Sequence, residues 1–591
     1  MEHTHFSLDT AHPRYVIWGL GQDERFYFSE WLPAFFSRTL TFSALPPESS
    51  FSWIFTGERG RVEIRYENKT LALAQYYTDS FALYPFDPEK QAGQVSRHPE
   101  KCWKEDSVSV QSLPSLTLTY DSHLRLTVFS GEALLLSQRC TLDLNRHQLS
   151  VSGQNCFVEG DLILPDMDFA SPASDSSCLF QKIEGFGGIA STPSYHMLSE
   201  KGKSLWWKYV EEYRLLIQRE YPNRGSADSK TIPWDDPSRA VPHYYGNNFP
   251  VGETSDFNYN RKILELGGCV WFEFWLYPDS SYEERELNVQ TLVSQILDYC
   301  RQSEKAGQPP SVVGIQNERC ESAETLEKLV PLLRRSLDEN GFEQVKLSTC
   351  NASFLKEGLT YLERFQHSRQ VWESMDYTAS NMYDYQICFA DLEEFLPVMR
   401  QFHEKSKGLP FLSTEIAVNH CPFQEDSYHL AFNLGVFYHY NLTVLNACAL
   451  CYCWTLMDVT EPSYGFTRTL FTVDAAHGFL PVPSGYILRT FGAFSRHIQK
   501  NMRRIQVSCS VPGILCSGYS DGTDGYVYLF LNQNTRNCVI QTDKLEGSGK
   551  GFQAELCDPY HENDAVPCSA EIQLPAGALL TLYTRKESFY E

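Results

Sequence analysis

Two short segments each end an apolar run on a glutamate, and these carboxylates are the residues best suited to chemistry in this chain. The first segment is Ser311-Val-Val-Gly-Ile-Gln-Asn-Glu318, and the second is Leu409-Pro-Phe-Leu-Ser-Thr-Glu415-Ile416. Hydrolysis of a glycosidic bond with retention needs one protonated carboxyl group and one ionised carboxylate. We therefore interpret Glu318 and Glu415 as a candidate pair for this reaction, with Glu415 as the nucleophile.

The positions of the two glutamates predict a parallel barrel. The C-terminal ends of all strands of a (β/α)8 barrel meet on one face, so that strand-end residues share a cleft. Residues 178–478 alternate strand-like and amphipathic helical patterns, which predicts this fold. The predicted helices are 204–219, 281–303, 323–340, 391–405 and 426–440, and the predicted strands are 269–274, 312–315, 345–348, 378–382, 411–414 and 447–454.

Antiparallel β-sandwich domains are predicted on both sides of the barrel. Residues 1–165 contain runs of period-two alternation separated by short polar turns, and residues 484–591 contain a helix followed by further strands. The Pro/Ser/Asp-rich segment 165–177 is predicted to be a linker. The aromatic segment 221–259 is predicted to be an insertion near the active face that helps to select the substrate.

Four further residues are candidates for substrate binding. Asn317 precedes the first glutamate, and an amide there can bind the sugar 2-hydroxyl. Tyr383 follows a predicted strand and can donate a hydrogen bond to the nucleophile, although an ordinary core or rim tyrosine fits the pattern equally well. Trp454 ends a strand and is expected to form a stacking wall, with a buried core tryptophan as the alternative. Trp271 and Trp275 share a face of one strand, and Trp275 joins the substrate-binding set.

Composition limits the class of protein. The chain has 591 residues, of which 42% are hydrophobic and 21% are charged, as in a globular protein of several domains. A net charge of −24 argues against nucleic acid as a partner. No signal peptide or membrane-length apolar run is visible, and many of the 18 cysteines lie in apolar strands. We therefore expect a cytoplasmic location and no membrane partner. No pattern defines an oligomeric state.

Two motifs suggest other chemistry. Gly185-Phe-Gly-Gly-Ile-Ala190 fits a dinucleotide fingerprint, but Pro193 follows where a helix should open, and a tight turn at the barrel mouth is the better interpretation. Cys448, Cys451 and Cys453 resemble half of a zinc site, but the second ligand pair is missing. Buried apolar thiols explain them better. We expect no cofactor and no metal.

Three motifs together resemble the clan A glycoside hydrolases. They are Glu184-Gly-Phe-Gly-Gly-Ile-Ala190, Ile315-Gln-Asn-Glu318 and Ser413-Thr-Glu415, and family 30 is the most similar. The segment from Gly485 to His497 also resembles that family's link from barrel to sandwich. Asn317-Glu318-Arg319 is similar to family 59, and Leu-Ser-Thr-Glu-Ile to family 39. Arg319 stands where family 30 usually has proline, and Thr414 where serine is common.

The resemblance implies roles for three residues. Glu318 would be the acid/base residue at the end of strand four, Glu415 the nucleophile at the end of strand seven, and Asn317 the 2-hydroxyl contact. The expected activity is that of a retaining glycosidase acting on β-linked carbohydrates, with carboxyl groups roughly 5–5.5 Å apart. The alternative is a catalytically silent carbohydrate-binding or scaffold protein on the same fold.

Overall fold

The structure is a computed structural model. It describes residues 5–584 except 10–13, 28–31, 46–48, 58–59, 78–100, 141, 162–166, 221–255, 274–288, 306, 308–309, 316, 319–322, 386–391, 420–426 and 461–466. The described residues form a closed parallel barrel with antiparallel sheets before and after it.

The N-terminal part of the chain is an antiparallel sheet around its own apolar core. Hydrogen bonds join nine strands in the order β10-β9-β8-β3-β11-β4-β5-β6-β7, with β2 beside β11 and β1 beside β2. Burial alternates with period two along β5 and β8, so that one face packs on the core around Trp53 and Leu118. The strands are β1 (His5–Asp9), β2 (Arg14–Tyr27), β3 (Phe36–Ala44), β4 (Ser50–Gly57), β5 (Gly60–Glu67), β6 (Thr70–Tyr77), β7 (Lys101–Ser109), β8 (Ser115–Tyr120), β9 (Arg125–Ser130), β10 (Ala133–Arg139) and β11 (Arg146–Asp161).

The segment predicted to be a linker is not one. It contains β12 (Asp168–Ala170) and the first part of β13 (Ala173–Lys182). These strands pair with strands that follow the barrel in the chain, because β12 lies beside residues 538–540 and β13 beside residues 503–508. Its small polar residues suggested a loop, but long-range pairing decides its conformation.

Eight parallel strands close into a barrel, because each pairs with the next and the last pairs with the first. They are β14 (Gly185–Ala190), β15 (Leu215–Glu220), β16 (Cys269–Glu273), β17 (Val312–Gly314), β18 (Lys346–Ala352), β19 (Tyr377–Asn381), β20 (Phe411–Ile416) and β22 (Ala447–Asp458), with β21 (Val418–Asn419) between the last two. After β22 come the short strands β23 (Thr467–Arg468), β24 (Phe471–Val473) and β25 (Pro481–Pro483). The described part of the barrel thus has the predicted fold.

Helices surround the barrel, and a further helix links it to the C-terminal sheets. They are α1 (Thr192–Met197), α2 (Glu200–Glu212), α3 (Asp256–Glu265), α4 (Val289–Lys305), α5 (Ala323–Glu339), α6 (Leu355–Phe365), α7 (Arg369–Ser374), α8 (Leu396–Lys405), α9 (Tyr428–Thr443) and α10 (Tyr486–Ser495). The predicted helix 204–219 is wrong in its second half, since α2 ends at Glu212 and the chain continues as β15. Arg214 makes this turn with a left-handed φ of 52°.

The glycine motif Gly185–Ala190 is the first barrel strand, so its interpretation as a tight turn is wrong. The motif also lacks the turn of a dinucleotide site. A Cβ on Gly187 would collide with the backbone of Ile217 on β15, and one on Gly188 with the backbone of Tyr452 on β22. These two glycines therefore let the strand approach both of its neighbours closely.

Two packed sheets close the described chain, an antiparallel one and a smaller mixed one in which β12 and β29 pair in parallel. Seven strands run in the order β13-β26-β27-β28-β33-β30-β31, and three in the order β12-β29-β32. The strands that follow α10 are β26 (Arg503–Ser508), β27 (Ile514–Ser520), β28 (Tyr526–Asn532), β29 (Cys538–Gln541), β30 (Phe552–Asp558), β31 (His561–Val566), β32 (Glu571–Leu574) and β33 (Leu579–Thr584). The sandwich thus takes two strands from the chain before the barrel.

Candidate active site

A polar layer fills the barrel at the C-terminal ends of its strands. Below it lies an apolar layer that includes Ile217, Trp271, Val312, Leu412 and Cys451. The polar layer consists of side chains from β15, β16, β18, β19 and β20 and from the residues that follow β17: Arg219, Glu273, Asn351, Asn381, Thr414, Glu415, Asn317 and Glu318. The apolar layer thus forms a floor beneath the polar layer, which lies at the face where barrel enzymes carry their active sites.

Glu415 is a carboxylate of this layer whose two oxygens both accept hydrogen bonds. It lies within β20, the seventh barrel strand, and is buried. Its Oε1 accepts a hydrogen bond from Nη1 of Arg219, and its Oε2 accepts one from the hydroxyl of Tyr383. The hydrogen bond expected between Tyr383 and the candidate nucleophile is therefore present. An ionised carboxylate accepts both bonds at once.

Arg219 connects the two halves of the site. Its side chain is fully buried, and its Nη2 donates a 2.9 Å hydrogen bond to Oδ1 of Asn317. The same nitrogen lies 3.4 Å from Oε2 of Glu273. A buried guanidinium is tolerated only where carboxylates and amide oxygens surround it. Arg219 thus holds Glu415, Asn317 and Glu273 in one cluster.

Glu318 follows β17, the fourth barrel strand, and is half-buried. Its backbone N–H donates to the carbonyl oxygen of Asn351, 3.0 Å away. Its Oε1 accepts a 3.3 Å hydrogen bond from Nδ2 of Asn381, which also lies 3.4 Å from Oδ1 of Asn317. Thr414 lies within hydrogen-bond distance of both Asn381 and Asn351. Hydrogen bonds through Asn381, Asn317 and Arg219 therefore connect Glu318 to Glu415.

Glu273 is a third carboxyl group in the layer. It ends β16 and is 3% exposed. Burial raises the pKa of Glu273 to about 7, although the Arg219 guanidinium lowers it. Gly314 on the adjacent strand makes room for this side chain, since a Cβ there would collide with the carboxyl group. The group therefore titrates near neutral pH.

Glu220 follows Arg219 and provides a contrast outside the polar layer. Strand alternation points it away from the barrel interior, towards α3 and α4. It accepts hydrogen bonds from Asn260 and, at 3.1 Å, from Tyr299. Burial and the charge of Asp256 raise the pKa of Glu220. It is a buried carboxyl group on the same strand as Arg219 that belongs to the outer wall of the barrel.

The aromatic residues named from the sequence as candidates for the site lie in different parts of the structure. Trp454 on β22 is buried with Ile189, Ala417 and Met457, and Tyr383 packs against this cluster. A cis peptide bond joins Cys453 to Trp454. Trp275 lies outside the described residues. Trp271 is in the apolar floor.

Two features bear on metals and membranes. The described residues contain no cluster of His, Cys, Asp or Glu that would hold a metal ion. Cys448, Cys451 and Cys453 are buried, and the first two lie in the apolar floor.

In the part of the chain that the structure describes, no helix has the length and apolarity needed to cross a membrane.

A parallel barrel with glutamates at its fourth and seventh strands, joined to a sandwich, has the fold of clan A glycoside hydrolases of the family 30 type. No protein-family model matches the sequence, and no curated protein matches it. Solved structures do match. At 13–15% identity these likenesses establish the fold.

Three of these structures illustrate the likeness. The catalytic domain of family 30 xylanase C from Talaromyces cellulolyticus has a TM-score of 0.54 at 14% identity, covering 70% of this chain and all of that one. A conserved exported protein from Bacteroides fragilis has a TM-score of 0.57 at 13% identity, with the same coverage. The endo-β-1,6-glucanase BT3312 has a TM-score of 0.52 at 13% identity, covering 71% of this chain and 94% of that one.

The sequence did not reveal Arg219, Glu273, Asn351 or Asn381 as site residues. Arg219 was assigned to a predicted helix, and the other three lie in or beside predicted strands without a motif around them. Arg219 and Glu273 shared one signal with Glu318 and Glu415, because each is a charged residue near the C-terminal end of a mainly apolar strand. Asn351 and Asn381 had no such signal, since their strands are polar along most of their length.

Proposed function

We propose that the protein is a retaining glycoside hydrolase that cleaves β-glycosidic bonds of small oligosaccharides or glycosides. One observation carries this proposal. Glu415 accepts hydrogen bonds from Arg219 and Tyr383 on its two oxygens, whereas Glu318 on the same face is half-buried beside amide groups. Two carboxyl groups in different environments can act as nucleophile and as acid/base residue.

The first step forms a covalent intermediate. A carboxylate oxygen of Glu415 bonds to the anomeric carbon while the bond to the leaving oxygen breaks. Glu318 donates its proton to that oxygen, so the leaving group departs as an alcohol. In the second step a water molecule attacks the anomeric carbon and gives a proton to Glu318. Glu415 leaves as a carboxylate, and the sugar retains its anomeric configuration.

Asn317 is suited to bind the sugar 2-hydroxyl. Its Oδ1 accepts from Arg219 and faces the Asn381 amide, so its orientation is fixed from two sides. Its Nδ2 is therefore turned away from Arg219 and is available as a donor. A contact of this kind strengthens in the transition state.

Two further arguments concern the substrate. Tyr383 bonds Glu415 and packs against the cluster that contains the buried Trp454, and its partly exposed ring supports a sugar as the ligand. One structural neighbour is named as a β-1,6-glucanase, which supports a β-linked carbohydrate.

The test is hydrolysis of a panel of aryl β- and α-glycosides and short oligosaccharides. We expect activity on a β-linked member and a loss of several orders of magnitude in Glu415→Gln. Azide should restore turnover in Glu415→Gly as a glycosyl azide, because a small anion replaces the missing carboxylate. Glu220→Gln is the matched control, since it changes a buried carboxyl group on the same strand as Arg219 and should keep most activity.

NMR of the first product formed gives its anomeric configuration. Retention agrees with the proposal, whereas inversion would mean that Glu415 activates water instead of attacking the sugar. Activity that survives in Glu415→Gln would show that the nucleophile is wrongly assigned. Binding of a sugar without hydrolysis across the whole panel would favour the catalytically silent alternative.

A further inference from the structure

In the proposed reaction Arg219 needs a negatively charged partner at a stage when Glu415 no longer supplies one. Its guanidinium is fully buried and ion-paired to Glu415. In the covalent intermediate Glu415 is an ester and carries no charge. A buried guanidinium without a counter-charge is strongly unfavourable. Some other group must compensate Arg219 while the intermediate exists.

Glu273 is the carboxyl group positioned to do so. Its Oε2 lies 3.4 Å from Nη2 of Arg219, on the other side of the guanidinium from Glu415. The neutral side-chain amide of Asn351 also acts on this carboxyl group. Gly314 leaves the space that the carboxyl group occupies. Within the described structure, Arg219 is thus the only positive charge paired with Glu273.

We propose that Glu273 is a positioning residue that exchanges roles with Glu415 as the counter-ion of Arg219, an inference that rests on the proposed function. In the resting site Glu415 is ionised and Glu273 is protonated, so one guanidinium faces one negative charge. When Glu415 becomes an ester, Glu273 releases its proton to solvent and pairs with Arg219. When water releases the sugar, Glu415 regains its charge and Glu273 takes up a proton.

The surroundings of Glu273 support this exchange. The charged groups that act on it are Arg219 on β15 and Glu415 on β20. The nearby Cys451 on β22 is neutral, because burial raises the pKa of its thiol. Burial raises the pKa of Glu273 to about 7, and the charge of Glu415 contributes to this rise. Loss of the Glu415 charge therefore removes one of the causes that keep Glu273 protonated.

The experiment counts protons while the intermediate is trapped. A 2-deoxy-2-fluoro glycosyl fluoride of the sugar identified by the hydrolysis panel is mixed with enzyme in weak buffer near pH 6, and a pH indicator follows the change. Mass spectrometry counts the sites that carry the sugar. We expect the wild-type protein to release about one proton more per trapped site than Glu273→Gln. Glu220→Gln should match the wild-type protein.

A second variant, substituted at Glu318, tests the role of Glu273 while Glu273 itself stays unchanged. Glu318→Gln removes the acid/base proton, and the fluoride leaving group needs no acid. Trapping should release about one proton near pH 6 and almost none near pH 9, where Glu273 is already ionised before trapping. A trapped adduct with no such proton overturns the role of Glu273 and leaves the proposed function standing. Absence of both adduct and hydrolysis would overturn the proposed function and this inference with it.

Discussion

At the scale of single residues, Glu318 combines a reactive position with a strained backbone. Its φ is 58°, in the left-handed region that residues with a Cβ rarely adopt. Its N–H donates to Asn351, and a bridge to Ala352 fixes the segment against β18. Strain of this kind is found where a side chain must point into a site. A glycine at this position would adopt the same φ without strain.

Replacing Glu318 by glycine should therefore change thermal stability and catalytic activity in opposite directions. Glycine adopts a positive φ without cost, which relieves about 1 kcal/mol. We expect Glu318→Gly to melt slightly higher than both the wild-type protein and Glu318→Gln, and to lose general-acid catalysis. Glu318→Gln is the matched control, because it also lacks the acid but keeps the Cβ. Equal melting temperatures for the two variants would show that the backbone carries no such strain.

At the scale of secondary structure, the barrel could be predicted well because its signals are local. Apolar runs that end on Glu318 and Glu415 show both the strands and their polar ends within a few residues. Arg219 was missed because its strand directly follows α2, and the turn between them uses Arg214 instead of glycine. The sequence therefore lacks the usual sign of a helix end. The contacts among Arg219, Glu273 and Asn317 depend on barrel closure, which no local pattern encodes.

Helix α9 is unusual because every residue from Tyr428 to Leu442 is buried. Such a helix shows no amphipathic period, although 426–440 was predicted as one of the amphipathic helices, so its position was predicted but its pattern was not. It carries His439, whose Nδ1 is buried and has no hydrogen-bond partner among the described residues. Burial and the charge of Arg504 lower the pKa of His439 to about 3. The folded protein therefore keeps this imidazole neutral.

The buried histidine should make stability depend on pH. Below the ordinary histidine pKa of about 6.5 the unfolded chain binds a proton that the folded chain rejects until about pH 3. Stability is therefore lost as pH falls through this window, by about 1.4 kcal/mol per pH unit from this group. We expect His439→Gln to show a shallower decline in calorimetric scans between about pH 6 and pH 4. The exposed His367→Gln is the control, and an identical slope in both variants would contradict the assignment.

At the scale of the whole molecule, α9 is also where three parts of the protein meet. The Tyr428 hydroxyl donates to the carbonyl oxygens of Cys557 and Gly577 in the C-terminal sandwich. On the other side, Nε2 of His429 lies 2.7 Å from the carbonyl oxygen of Ala34, and Phe35 packs edge to face on Phe432. A barrel helix begins near the face that carries the active site. The N-terminal sheet is therefore docked beside the seventh strand, towards the end of the barrel that holds Glu415.

Asp143 of the N-terminal part makes the central contact of this docking. The N-cap residue of α9, Ser427, makes no capping bond with its own side chain. Asp143 caps the helix instead, accepting from the backbone N–H of Tyr428 at 3.1 Å and from the Ser427 hydroxyl at 3.2 Å. It also pairs with Nδ1 of the buried His429. One carboxylate from a separate part of the chain thus supplies a helix cap and a hydrogen-bond partner for a buried imidazole.

Asp143→Ala should therefore loosen the N-terminal sheet from the barrel. Loss of a helix cap costs about 1–2 kcal/mol, and the buried His429 loses its carboxylate partner as well. We expect a lower melting temperature and faster proteolysis of the N-terminal part, with the barrel fragment remaining resistant. Asp121→Ala is the matched control, because the hydrogen bonds that Asp121 accepts in the described part of the chain come from its own turn, from the N–H groups of His123 and Arg125. Equal proteolysis of the two variants would mean that Asp143 does not hold the N-terminal sheet on the barrel. Faster cleavage of Asp143→Ala alone would locate the docking contact at the first turn of α9.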